Sequence, residues 1–134
     1  MSNTPHHSRQ LRSKLGRVRG LGSSHEGVHH WWAQRMSAMA LLPLSLWTVY
    51  SLIYLTGSDY VAFHAWVKEF GNSVFLMLFL VAMFHHAQLG LQVVVEDYVH
   101  NELWKMGLLL CVKYGAVLFC ASGIFAVLKI SLAG

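Results

Sequence analysis

The sequence has little charge. Of its 134 residues, 12% are Asp, Glu, Lys or Arg, and acids number 6. Soluble domains carry about 25% charged residues. Set beside 55% hydrophobic residues and long charge-free runs, this shortage excludes a soluble globular domain and indicates an integral membrane protein. Cysteine is also scarce. The 2 present, Cys111 and Cys120, lie nine residues apart in one apolar run. On one helix they would point to opposite sides, so they cannot pair, and no disulfide framework exists. Nor can they form a cysteine cluster for zinc or iron–sulfur. A phosphate-binding glycine loop and a catalytic triad are missing as well. Flavin or iron–sulfur chemistry would have to sit on other chains. No apolar stretch follows the N-terminus closely enough to make a signal peptide.

What the sequence does contain is three apolar spans in a length that allows one domain. Met36–Leu55 runs 20 residues without a charge, and Val74–Val95 runs 22. At 1.5 Å per residue the second covers ~33 Å, enough for a bilayer core of ~30 Å. A third span runs from about Met106 to Leu128, with Lys113 inside it. The Lys113 ammonium either snorkels to the nearer surface or faces a helix bundle. Pro43, in the first half of the first span, is a candidate kink. Tyr60, Phe63, Trp66 and Val67 recur at helical spacing in the polar connection Thr56–Ser73, which predicts a short interfacial helix. Glu96–Lys105 forms the next loop. Gly107, Cys111 and Gly115, then Ala116, Cys120 and Gly123, form small-residue stripes of the kind that lets helices pack closely in lipid. The expected fold is an all-α integral membrane protein: a basic tail over residues 1–26 and a three-helix membrane domain over 27–134.

The basic residues are unevenly placed. Arg9, Arg12, Lys14, Arg17, Arg19 and Arg35 all precede the first span, whereas the first loop has only Lys68 and the C-terminal end only Lys129. The positive-inside rule therefore puts the N-terminus and the second loop in the cytoplasm. No folded basic surface accompanies these charges, so they signal topology rather than nucleic-acid binding. The tail, rich in Ser, Gly and Arg, reads as a disordered cytoplasmic segment. Its shortage of acids also fits a mitochondrial transit peptide. Trp31 and Trp32 are the pair expected at a membrane interface.

The second span carries the chemistry. His85 and His86 fall near its middle, where histidines are costly and should face protein, water or a cofactor. At ~100° per residue, Gly90 lies ~40° and Asp97 ~20° from His86 around the helix. Gly90 sits one turn from His86 and removes a side chain, leaving room for a bulky flat group against the backbone. Tyr98 lies ~120° round, on the shoulder of that face, and ~18 Å along the axis. His86 thus reads either as an axial haem ligand or as a histidine bonded to a neighbouring helix. His85, ~100° away, reads as bonding another helix or a partner chain. Asp97 and Tyr98 read either as a quinone site or as ordinary interfacial residues. In the first case the tyrosine hydroxyl donates to a carbonyl and the carboxylate tunes it or relays protons. His29, His30 and Arg35 read either as partners for anionic groups such as haem propionates, or as an exposed loop and a positive-inside anchor.

Two motifs then resemble a known family. His86-x3-Gly90-x6-Asp97-Tyr98 is similar to the signature of the hydrophobic membrane anchor subunit of succinate dehydrogenase, the smaller of its two anchors. Gly27-Val28-His29-x5-Arg35-x-Ser37-Ala38 looks like the stretch before the first helix in that family. The resemblance covers about Gly27 to the C-terminus. It implies that this chain forms half of a heterodimeric haem-binding helix bundle in a bacterial cytoplasmic membrane, or alternatively the mitochondrial inner membrane. It implies that His86 is one axial ligand of haem b, the other coming from a second, cytochrome b-type anchor subunit. It also implies that His29 and Arg35 approach the haem propionates, and that Tyr98, supported by Asp97, binds ubiquinone. FAD and iron–sulfur clusters would belong to a flavoprotein subunit and an iron–sulfur subunit. Lys113 has no counterpart in that pattern. Other readings of the same residues are a quinol:fumarate reductase anchor, a proton-pathway subunit using His85, His86 and Asp97, and a structural anchor without haem.

Overall fold

A computed structural model describes residues 25–132, so most of the basic tail lies outside it. Among the described residues the chain is all-helical. We number the helices α1 (His25–Tyr54), α2 (Tyr60–Lys68), α3 (Phe70–Tyr98) and α4 (Glu102–Leu132). Three of these, α1, α3 and α4, are long and apolar enough to cross a membrane. They contain the three sequence spans, but each extends beyond its charge-free run. α1 begins at His25, upstream of Met36, so His29 and His30 sit on a helix rather than in a loop. α3 takes in Glu96, Asp97 and Tyr98, and α4 starts at Glu102. The connection between them shrinks to Val99, His100 and Asn101. Charge defines where lipid ends, whereas backbone hydrogen bonding continues the helix into the headgroup layer. α1 also continues through Pro43, which cannot donate the hydrogen bond normal at that position.

The short helix α2 forms where the aromatic spacing predicts it. Asp59 caps its N-terminus, accepting a hydrogen bond from the Ala62 backbone N–H at 2.8 Å, the usual remedy for an orphan first-turn donor. Just before it, Gly57 adopts φ +83°, a left-handed conformation that a side chain would disfavour. Trp66 of α2 stacks on Trp47 of α1 with ring centroids 5.7 Å apart. Trp47 also meets Phe75 of α3 at 5.2 Å. The Asn72 amide then donates to the Trp66 carbonyl at 2.9 Å, fixing α2 across the start of α3.

α3 is the central element. It packs against both α1 and α4, which do not approach each other. Its close fit to α4 is made at Gly123, where an added Cβ would lie 3.0 Å from Leu80 Cδ1. The stripe expectation is therefore realised there and not along its whole length. Gly107 and Gly115 have no neighbour in such reach, and Cys111 is exposed. Both cysteines are free thiols.

Almost nothing is interior. The most apolar stretches of α1, α3 and α4 are 11%, 6% and 0% buried, and the buried hydrophobic residues are Val67 and Leu89. A row of three helices has two open faces. Lipid can cover apolar side chains on these faces, but it cannot satisfy polar ones.

Candidate functional site

The buried polar residues show where lipid is not the intended neighbour. Ser37 of α1 is 8% exposed, and its hydroxyl lies 3.0 Å from His86 Nδ1 on α3. The same hydroxyl donates to the Gln34 backbone carbonyl at 3.0 Å. The Gln34 side-chain amide nitrogen lies 3.5 Å from His86 Nε2, at the outer limit of a useful hydrogen bond. His30, Gln34 and Ser37 follow one another at helical spacing, so they lie on one stripe of α1, and Gln34 and Ser37 of that stripe meet His86. Two atoms of that stripe, His30 Nε2 and Gln34 Oε1, are buried without a hydrogen-bond partner. Such groups are uncommon among buried polar atoms.

Gly90 completes the seam. A Cβ added there would meet Gln34 Nε2 at 3.7 Å, an ordinary contact. Packing of α1 on α3 therefore does not itself demand glycine at this position. The geometry matches the reading of His86 as a histidine bonded to a neighbouring helix. The histidine is bonded to a neighbouring helix, but its Nε2 is held only weakly.

The other sequence-selected residues are placed as follows. His29 is exposed. Arg35 is exposed too, with its guanidinium carbon 4.6 Å from the centre of the Trp31 ring, a cation–π distance. It lies ~160° around α1 from Ser37, so the chain by itself does not bring Arg35 to His86. His85 is exposed and lines a groove of about 290 Å³ between α3 and α4 with Phe84, Gln88, Ala116 and Cys120. Lys113 lines a smaller groove of about 190 Å³ beside Gln88 and Gln92.

Asp97 and Tyr98 are the last residues of α3, and both are exposed. The short turn after them is well held. Val99 N–H donates to the Val95 carbonyl at 3.1 Å. Lys105 Nζ donates to the Glu96 carbonyl at 3.2 Å, and the Asn101 side-chain oxygen accepts from Leu103 N–H at 3.0 Å. The site is a fixed platform presenting a phenol and a carboxylate outward. Among the described residues, no three His, Cys, Asp or Glu side chains gather to hold a bare metal ion.

Gln34 and Ser37 were not selected as site residues from the sequence, although Ser37 lies in the motif quoted above. The available signal was a polar face, His30, Gln34 and Ser37, running into an otherwise apolar helix.

Comparison with known proteins now fixes the family. The profile described as Succinate dehydrogenase/Fumarate reductase transmembrane subunit matches residues 9–126. This chain belongs to that family. Among relatives of the Sdh/Frd transmembrane subunit family is the succinate dehydrogenase hydrophobic membrane anchor subunit of Rickettsia bellii. It is 33% identical over 118 residues, covering 87% of this chain and 94% of the relative. The subunit of the same name from Paracoccus denitrificans is 28% identical over 116 residues, or 84% and 87% of the two chains. The succinate dehydrogenase membrane anchor subunit of Reclinomonas americana is 34% identical over 79 residues, or 57% and 66%. The transmembrane family agrees with the three membrane-spanning helices. Membership makes the open helix faces intelligible, since an anchor subunit works inside a larger complex.

Proposed function

We propose that this chain is the membrane anchor subunit of a succinate:ubiquinone oxidoreductase, and that it helps bind haem b and ubiquinone. The observation that carries the haem assignment is the half-buried seam around His86. The mid-span His86 meets Ser37 and the Gln34 amide nitrogen of α1, two atoms of the same α1 stripe, His30 Nε2 and Gln34 Oε1, lack partners, and the adjacent Gly90 is not required by packing within the chain. These features fit a flat, polar-edged group better than lipid, so the residues present fit a haem. His86 would supply one nitrogen ligand to its iron. The second ligand would come from the partner anchor. Bound there, the haem supplies a one-electron redox centre. His29 and Arg35, exposed near the start of α1, are available to pair with propionates on assembly with the partner anchor.

The quinone site on this chain is the end of α3. The Tyr98 hydroxyl donates to a quinone carbonyl, and Asp97 beside it tunes that donor or relays protons as the oxygen takes up negative charge. Exposure of both side chains on a fixed turn supports this reading, because the rest of the pocket has to come from other subunits. Those are the second anchor, the iron–sulfur subunit and the flavoprotein subunit, with FAD and the iron–sulfur clusters held on the last two. Electrons from succinate then leave for the quinone pool, linking the tricarboxylic acid cycle to respiration. The names of the curated relatives favour this direction over fumarate reduction. The Arg-rich N-terminus and the bacterial relatives support a bacterial cytoplasmic membrane with the N-terminus and the Asp97–Tyr98 turn on the cytoplasmic side.

The experiment is a dithionite-reduced minus oxidised spectrum of the complex purified through a tag on this chain, with His86→Leu alongside. A b-type signal that is lost or shifted in the variant is the expected result. No haem signal in the unsubstituted complex would overturn the haem assignment.

A further inference from the structure

We propose that Ser37 is a positioning residue that sets the protonation pattern of the His86 ring and thereby the properties of the haem it ligates. This rests on the haem reading above. The Gln34 amide nitrogen faces His86 Nε2 at 3.5 Å. A serine hydroxyl has one hydrogen, and that of Ser37 goes to the Gln34 backbone carbonyl, so toward His86 Ser37 can only accept. The ring hydrogen of neutral His86 then sits on Nδ1, 3.0 Å from Ser37 Oγ. Ser37 accepts that hydrogen and sends its own to the Gln34 backbone carbonyl at 3.0 Å. The Nδ1–H and Oγ–H hydrogens each have one acceptor, and no two donors face each other along Nδ1–H, Oγ–H and the carbonyl. The ring's remaining lone pair is on Nε2, met only by the Gln34 amide at 3.5 Å, and a metal would take it by displacing that contact.

The chemistry follows from that arrangement. A metal-binding histidine usually donates its other ring N–H to an acceptor, which fixes the tautomer and ring orientation and raises the basicity of the ligating nitrogen. A more basic nitrogen favours the ferric over the ferrous state. Ser37 is buried, so water does not readily replace it. A hydroxyl one helix away thus acts on iron it does not touch.

The test is a redox titration of the intact, membrane-extracted complex, read at the haem absorption bands, for the unsubstituted chain, Ser37→Ala and Ser37→Thr. Loss of the acceptor in Ser37→Ala should weaken the ferric preference, because the ligating nitrogen becomes less basic, and we take a change of about tenfold as the effect to look for. For one electron that raises the midpoint potential by ~59 mV. Ser37→Thr keeps a hydroxyl and should keep the native potential. An unchanged potential in Ser37→Ala overturns the proposal, as does an equal shift in both variants. If Ser37→Ala holds no haem, Ser37→Thr decides: haem at the native potential supports the hydroxyl, and loss of haem in both refutes it. A native complex without haem would overturn the haem reading itself, and with it this one.

Discussion

Replacing Tyr98 by Phe isolates one atom. The side chain ends α3 with 77% of its surface exposed, and its backbone carbonyl, not its hydroxyl, meets His100 Nδ1 at 3.2 Å. Removing the hydroxyl therefore disturbs no packing within this chain, and the stability change should stay within ~0.5 kcal/mol. The effect on quinone reduction should be much larger. As the quinone carbonyl gains an electron, the phenol donates to a charged oxygen, and such hydrogen bonds contribute ~1.5–3 kcal/mol. At ~1.4 kcal/mol per factor of ten, kcat/KM for the quinone should fall about 10- to 150-fold. The assay compares succinate oxidation by a short-chain ubiquinone with succinate oxidation by an artificial dye that accepts electrons upstream of the membrane domain. Only the first should fall. Equal kcat/KM with the quinone would refute the role given to Tyr98, and a parallel fall in both would show damage to assembly instead.

Two more outcomes follow from the packing of α4. Gly123→Leu should destabilise the α3–α4 pair by ~1–3 kcal/mol, because its Cβ would already press on Leu80; the yield of detergent-stable complex measures this, and an unchanged yield would mean the helices pack elsewhere. Lys113→Leu should leave assembly intact, since Lys113 lies exposed along a groove with Gln88 and Gln92; failure to assemble would show that the ammonium faces another subunit.

The three spans were legible because charge-free runs of that length have few other uses. Their ends were not. Glu96, Asp97 and Glu102 mark the edge of the lipid, yet they lie inside helices whose hydrogen bonding does not depend on lipid. The same misplacement hid half of the seam. With α1 expected to begin at Met36, His30 and Gln34 belonged to a flanking segment, and only a helix starting at His25 lines them up with Ser37. The face shared by His86 and Gly90 was readable from the helical period alone. What that face meets was not, because the rotation of α1 against α3 is a tertiary choice. The small-residue stripes show the same limit. Periodicity flagged six positions on α4, but the close approach within this chain is made at Gly123.

The lack of an interior also bears on the life of the chain before assembly. Its apolar sides can rest in lipid indefinitely, but the unsatisfied atoms of His30 and Gln34 cannot. A newly inserted copy therefore has two polar atoms at the α1–α3 seam without a partner in its own chain. Until the other subunits arrive, lipid alone covers the open faces of α1, α3 and α4, so how much of the chain's surface ends against protein is set by assembly and not by its own folding.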